Sequence, residues 1–252
     1  MAKTILVANW KNYPDSLERV NEILVGLNKK STFYKKLNLY IAPPSVYLES
    51  VSKKIKKLGS LAVQDVPLIF DGTHTGELSM HMLKDLGVRM SIVGHSERRA
   101  MGETNEVVNH KIKNALKAGI TPLLCIGEKE RDAEGEHYEY IREQIVASLY
   151  SINKKEDISK IMIAYEPVWA IGKKAKDAML PGDIEQTLIF IKKILTDMYD
   201  RSFAEKVPIL YGGSVEASNA QAILGSGVSG LLVGRASLDT LNFSQIALAL
   251  NN

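Results

Sequence analysis

Cysteine is almost absent from these 252 residues, with Cys125 standing alone. One thiol makes no intramolecular disulfide and no cysteine-based metal cluster, and its place inside the apolar run PLLCIG reads as a small buried residue. Long apolar runs are missing as well. None approaches the roughly 20 residues a membrane-spanning helix needs, and MAKTILVANW lacks the basic start, apolar stretch and small-residue cleavage site of a secretory leader. No membrane partner is expected, and a cytoplasmic location is. Charge of one sign is in little excess: 32 Lys and Arg against 29 Asp and Glu leave a formal +3. The lysines are scattered over many segments and form no aromatic-interleaved basic patch, so no nucleic-acid partner is expected.

Linkers are lacking too. No Pro/Gly/Ser-rich tract, low-complexity segment or composition shift divides the chain, which predicts one domain over 1–252. What is present is a repeat of one pattern, a short β-rich apolar run followed by a charged amphipathic segment, and it occurs eight times. The runs cover 4–10, 38–43, 60–66, 89–96, 120–127, 160–167, 207–214 and 230–235. Apolar residues three and four apart, such as Val107, Ile112 and Leu116 or Ile184, Leu188, Ile191 and Leu195, predict helices with one buried face. Lys117-Ala118-Gly119 reads as a helix end and Pro181-Gly182-Asp183 as a helix start. The third interval, DVPLIFDGTHTGELS, is a long loop before any helix, a place for function or a partner.

Apolar strands alternating with helices imply parallel pairing with both faces covered. Eight units in this length predict an α/β fold in which a parallel eight-stranded sheet closes into a single (β/α)8 barrel. The open dinucleotide-binding sheet is disfavoured, because G-x-G-x-x-G after the first strand is absent. Barrel strands deliver their C-terminal ends to one mouth. Those ends hold Asn9 and Lys11, His95 in VGHSERR, Glu128, Glu166, Tyr211-Gly212-Gly213-Ser214 and Gly234-Arg235.

Each of these has a plainer reading alone: a solvated lysine, a hydrogen-bonded histidine, a capping glutamate, a tight glycine turn. Together they supply a base, an electrophile, a cation and, in the glycines after strands seven and eight, a phosphate grip. The five histidines show no metal-ligand spacing, and no G-x-S-x-G elbow supports a serine nucleophile. The set suits proton transfer beside a carbonyl in a small phosphorylated molecule.

The segments ANWK, TGELS, IVGHSERR, ETNEVVNHKIKNALKAGITPLLCIGE, AYEPVWAIG, YGGSV and GLLVG occur in this order from end to end. On these the chain resembles the triosephosphate isomerase family, whose fold is the TIM barrel. The resemblance implies that Glu166 is the base that moves a proton between two carbons of a triose phosphate. It implies that His95 is a neutral imidazole polarising the carbonyl, kept so by the N-terminus of a short helix, that Lys11 is a fixed positive charge and that Asn9 is a donor to substrate oxygens. Glu97 takes a supporting or catalytic role beside them. Backbone N–H groups of Gly172, Ser214, Gly234 and Arg235 receive the phosphate, and the segment after Glu166 is a lid that excludes water.

Neither cofactor nor metal is implied, and the partner is a second copy, a homodimer in which the Thr75 loop reaches the neighbour's Lys11 region. That dimer is also expected because the third loop would otherwise expose Val66, Leu68, Ile69 and Phe70. The chain departs from the family pattern at Lys173-Lys174-Ala175-Lys176, where the lid loses a glycine, at Arg235 in place of a glycine, and in NWKNY and His74 near the interface. A barrel acting on another phosphosugar, and a barrel that only binds, are the alternatives these residues disfavour.

Overall fold

The structure, a computed structural model, describes residues 3–132, 134–172 and 178–251. All eight apolar runs contain strands: β1 (Ile5–Asn9), β2 (Asn38–Ala42), β3 (Ser60–Val63), β4 (Val88–Val93), β5 (Thr121–Ile126), β6 (Met162–Tyr165), β7 (Ile209–Tyr211) and β8 (Gly230–Val233). They pair in parallel and in sequence order into a closed barrel. Closure is made by β1, whose Ile5 is opposite Asn38 on one side and Gly230 on the other.

Alternation along each strand divides the apolar residues into two layers. Val7, Ala42, Ala62, Ile92, Leu123, Cys125, Ala164, Leu210 and Leu232 form one buried cluster that draws on every strand, the filled lumen of the barrel. Their neighbours, such as Leu6, Ala8, Leu124, Ile163 and Leu231, join the helix faces in the larger outer cluster. Continuing the lumen row by twos brings Ile5 and Val7 to Asn9 and Lys11, Met162 and Ala164 to Glu166, Leu210 to Gly212, and Leu232 to Gly234. The period of a strand, carried just past its last ladder bond, thus fills the mouth with polar residues.

Helix ends agree with the local sequence. Helix Asn105–Ala118 starts where the Thr104 hydroxyl accepts from Val107 N–H and stops at Gly119 in the left-handed region, and helix Pro181–Met198 begins on its proline. Before helix Glu136–Ser148, the Asp132 carboxylate accepts from the backbone N–H groups of Glu136 and His137 and contacts His137 Nδ1 at 3.0 Å. Desolvation alone would raise the Asp132 pKa, but these hydrogen bonds outweigh it and hold the group well below the usual carboxylate range. A depressed folded value stabilises the fold above the unfolded value of about 3.9 and ceases to do so as pH falls further. Asp132→Asn should therefore flatten the loss of thermal stability below that pH, as read from melting curves across the acid range.

The strands are shorter than the apolar runs because the chain leaves the ladder once a side chain finds another partner. After β3, Gln64 Nε2 donates to the carbonyl oxygens of Lys11 and Ala42, and after β4 His95 caps helix Ser96–Ala100. The long third loop follows Gln64, with one correction to its expected exposure. Val66 is buried and Phe70 packs on the core beneath Lys117 Nζ, so only Leu68 and Ile69 of the four stand exposed. The lid lysines Lys173, Lys174 and Lys176 lie outside the described residues.

Candidate active site

Glu166, His95, Lys11 and Asn9 converge on one cleft of about 620 Å³ at the C-terminal mouth. Glu166 is 2% exposed, and its backbone N–H is fastened to Ile126 O at 2.7 Å. Its carboxylate reaches two donors: Oε2 accepts from the Ser96 N–H at 3.2 Å, and Oε1 lies 3.2 Å from His95 Nε2. His95 is the N-cap of helix Ser96–Ala100, with Nδ1 accepting from the Glu97 N–H at 3.2 Å. A ring nitrogen that accepts carries no proton, so a neutral ring bears its hydrogen on Nε2, facing Glu166 and the cleft.

Lys11 stands on the opposite wall in an unusual backbone conformation, with φ of 52°. Three contacts hold it there: its N–H donates to Asn9 Oδ1 at 3.0 Å, its carbonyl accepts from Gln64, and its Nζ pairs with Glu97 Oε1 at 2.7 Å. Glu97 Oε2 is also 3.7 Å from His95 Nδ1, so one residue touches both the cation and the imidazole. Gly172, Ser214, Gly234 and Arg235 line the far end of the same cleft. Ser214 Oγ donates to Ala170 O at 2.8 Å and thereby ties the loop after β7 to the segment after β6. The Arg235 side chain is exposed, which leaves its backbone free of crowding from its own bulk.

Of the residues picked out in the sequence, Asn9, Lys11, His95, Glu166, Gly172, Ser214, Gly234 and Arg235 line this cleft and Glu97 touches two of them, while three further residues were not picked out. Ser96 supplies a backbone donor, which no side-chain motif reveals. Gln64 acts through an amide that reads like any polar residue. Gly127 provides room, as does Gly212, which the sequence reading took only as part of the phosphate turn: a Cβ on Gly127 would stand 1.8 Å from the Glu166 carbonyl oxygen, and one on Gly212 would stand 2.8 Å from Glu166 Cγ. Gly127→Ala must displace the Glu166 backbone, and a displacement near 1 Å costs about 10²-fold in turnover. Any activity of this cleft should fall that far in Gly127→Ala with the fold retained, as judged by circular dichroism.

Glu128 is placed differently from the rim position read in the sequence. It is 1% exposed beneath the residues that follow Glu166, where Oε1 accepts from Tyr165 OH at 2.9 Å and Trp169 Nε1 at 2.8 Å and the carbonyl accepts from Val168 N–H. Burial, and then the Glu128 charge, push the Tyr165 hydroxyl well above its ordinary pKa, so it stays a donor. Glu128 braces the root of the lid rather than the cleft. Among the described residues, no three His, Cys, Asp or Glu side chains come close enough together to hold a metal ion.

On the other side of Lys11 lies a second cleft of about 650 Å³, reached also by His95, Glu97, Gln64, Met101 and Lys111. Large apolar side chains stand exposed on nearby segments, with Met101 at 82%, Val46 at 80% and Met82 at 60%. Thr75 is exposed at the tip of the third loop.

A family model described as triosephosphate isomerase matches residues 4–250. Among curated relatives of that name, the one from Dictyoglomus thermophilum is 39% identical over 250 residues, covering 98% of this chain and 99% of its own. One from Fusobacterium nucleatum is 38% identical over 255 residues and covers both chains fully. Another, from Corynebacterium diphtheriae, is 40% identical over 258 residues, with 98% and 97% covered.

Proposed function

The chain belongs to the triosephosphate isomerase family, and on that premise we propose that Glu166, His95 and Lys11 together perform its proton transfer. It is an isomerase that interconverts dihydroxyacetone phosphate and D-glyceraldehyde 3-phosphate. The observation that supports the assignment is the 3.2 Å approach of the Glu166 carboxylate to a His95 nitrogen that bears hydrogen, with a held ammonium across the cleft.

Glu166 takes a proton from C1 of dihydroxyacetone phosphate. The C–H electron pair moves into the C1–C2 bond, and the carbonyl electrons move onto O2. His95 Nε2–H and the Lys11 ammonium stabilise the negative oxygen, and Asn9 helps to orient it. His95 Nε2–H gives its proton to O2 and takes back the one on O1; as Glu166 returns the carbon proton to C2, the O1 electrons re-form a carbonyl at C1, with no change of oxidation state overall and no cofactor. Glu97 fixes Lys11 and, through its backbone, the His95 tautomer. The phosphate rests on backbone N–H groups of Gly172, Ser214, Gly234 and Arg235. Because Oε1 and Nε2 touch directly, substrate carbons enter between them only when Glu166 turns aside.

The same reading has the chain act as one domain in the cytoplasm, in glycolysis and gluconeogenesis, as a homodimer. The partner's Thr75 loop occupies the cleft beside Lys11 and covers the exposed methionines and Val46. Sedimentation should give twice the chain mass. A coupled assay that follows dihydroxyacetone phosphate formed from glyceraldehyde 3-phosphate tests the activity, and a wild-type rate no faster than that of His95→Gln would remove the assignment.

A further inference from the structure

We propose that a crevice behind Glu166 is a second binding site, for small carboxylic acids with a compact apolar body, and that its occupation lowers turnover. The crevice, about 330 Å³, lies between helix Ser96–Ala100, the end of β5 and helix Glu136–Ser148. It shares one lining residue with the substrate cleft, Glu166, and none with the cleft assigned to the partner loop. It therefore stays open in the dimer and touches the base from behind.

Arg99 identifies the occupant. Its guanidinium is partly buried, and among the described residues its three hydrogen bonds end on neutral oxygens: Nε to Gly94 O at 2.7 Å, Nη1 to Asn105 Oδ1 at 2.6 Å and Nη2 to Cys125 O at 3.3 Å. Among the described residues no carboxylate comes within ion-pair distance of it. Burial draws its pKa down, as expected of a desolvated cation without a direct counter-ion. Lys129, exposed at the same rim, is likewise in no ion pair among the described residues. A ligand carboxylate between Arg99 and Lys129 supplies the missing charge.

The remaining walls choose the rest of the ligand. Ala100, Cys125, Ile126 and Val168 are apolar and receive a ring or short alkyl body. The negative groups nearby are Glu166, turned towards Ser96 N–H and His95, and Glu103, Glu106 and Glu143 along the adjoining groove. They disfavour polyanions, so a monocarboxylate is selected over a phosphate ester. A body wedged against Val168 and Glu166 holds the carboxylate on Ser96 and hinders the turn that admits substrate. This effect on rate rests on Glu166 being the base; the binding does not.

The probe is 4-fluorobenzoate, observed by fluorine NMR with wild type, Lys129→Glu and Ala100→Leu, the last of which fills the crevice. Wild type should bind it with Kd about 1 mM, undisturbed by inorganic phosphate in the substrate cleft, and each variant should bind at least about fivefold more weakly. Lys129→Glu should isomerise at the wild-type rate, and the probe should lower wild-type kcat without raising KM. Displacement by phosphate, a change in KM alone, no binding by about 10 mM, or equal affinity in all three proteins overturns the site. Binding as expected with kcat unmoved overturns the coupling, while Glu166→Gln separately decides whether Glu166 is the base.

Discussion

Glu166→Gln should lower kcat by about 10²- to 10⁴-fold, the usual contribution of a positioned base. Glutamine has nearly the same shape, and its carbonyl oxygen can still accept from the Ser96 N–H, so the 2%-exposed site remains filled. Its amide, however, is far too weak a base to take a carbon-bound proton. Where the carboxylate met His95 Nε2–H as an acceptor at 3.2 Å, the NH2 group meets it as a second donor. The loss should therefore appear in kcat, with a melting temperature close to wild type. A variant retaining more than about a tenth of wild-type kcat would exclude Glu166 as the base, because no positioned base contributes so little.

Lys111→Met should cost about 3–5 kcal/mol of stability, the typical result of removing one partner from a buried ion pair. The Lys111 side chain is 5% exposed, with Nζ 2.7 Å from Asp65 Oδ2 and 2.5 Å from Glu103 Oε1; Glu103 is itself 4% exposed. Arg98 Nε completes the group at 2.8 Å from Asp65 and 3.2 Å from Glu103. Burial outweighs both cations at Asp65 and raises its pKa, so this site is already expensive for negative charge. Methionine would leave two carboxylates to Arg98 alone. Urea unfolding at one fixed protein concentration measures the loss, and adding Glu103→Gln to the variant should recover about 1–2 kcal/mol by removing one stranded charge. A loss below about 1 kcal/mol would mean that water or relaxation already satisfies the cluster.

The cluster also shows where sequence reading stops. Strand and helix periodicity located all eight barrel strands, and the step of two along β1 and β6 carries Asn9, Lys11 and Glu166 to the mouth without any tertiary knowledge. Gly119 and Pro181 marked helix ends because their backbone preferences are local. Asp65, Arg98, Glu103 and Lys111 come from three separate segments, and nothing in their spacing distinguishes them from solvated surface charges. Val66 was misread for the same reason: a loop residue's burial depends on what folds over it. Glu128 looked like a mouth residue since it follows β5 directly, but the tyrosine and tryptophan that claim its carboxylate are 37 and 41 residues away.

Lys11 has a consequence for how far this enzyme could be made more robust. A lysine at φ of 52° adopts a conformation that costs about 1–3 kcal/mol for a residue with a Cβ. Glycine there would relieve that strain, and a screen that rewards heat resistance alone would favour it. The improved survivor would have lost its ammonium. The barrel, through the Asn9 carboxamide and the Gln64 amide, spends folding energy to keep a cation in place in the cleft, so an arriving substrate has no charge left to arrange. Thermal selection and catalytic selection therefore pull in opposite directions at position 11.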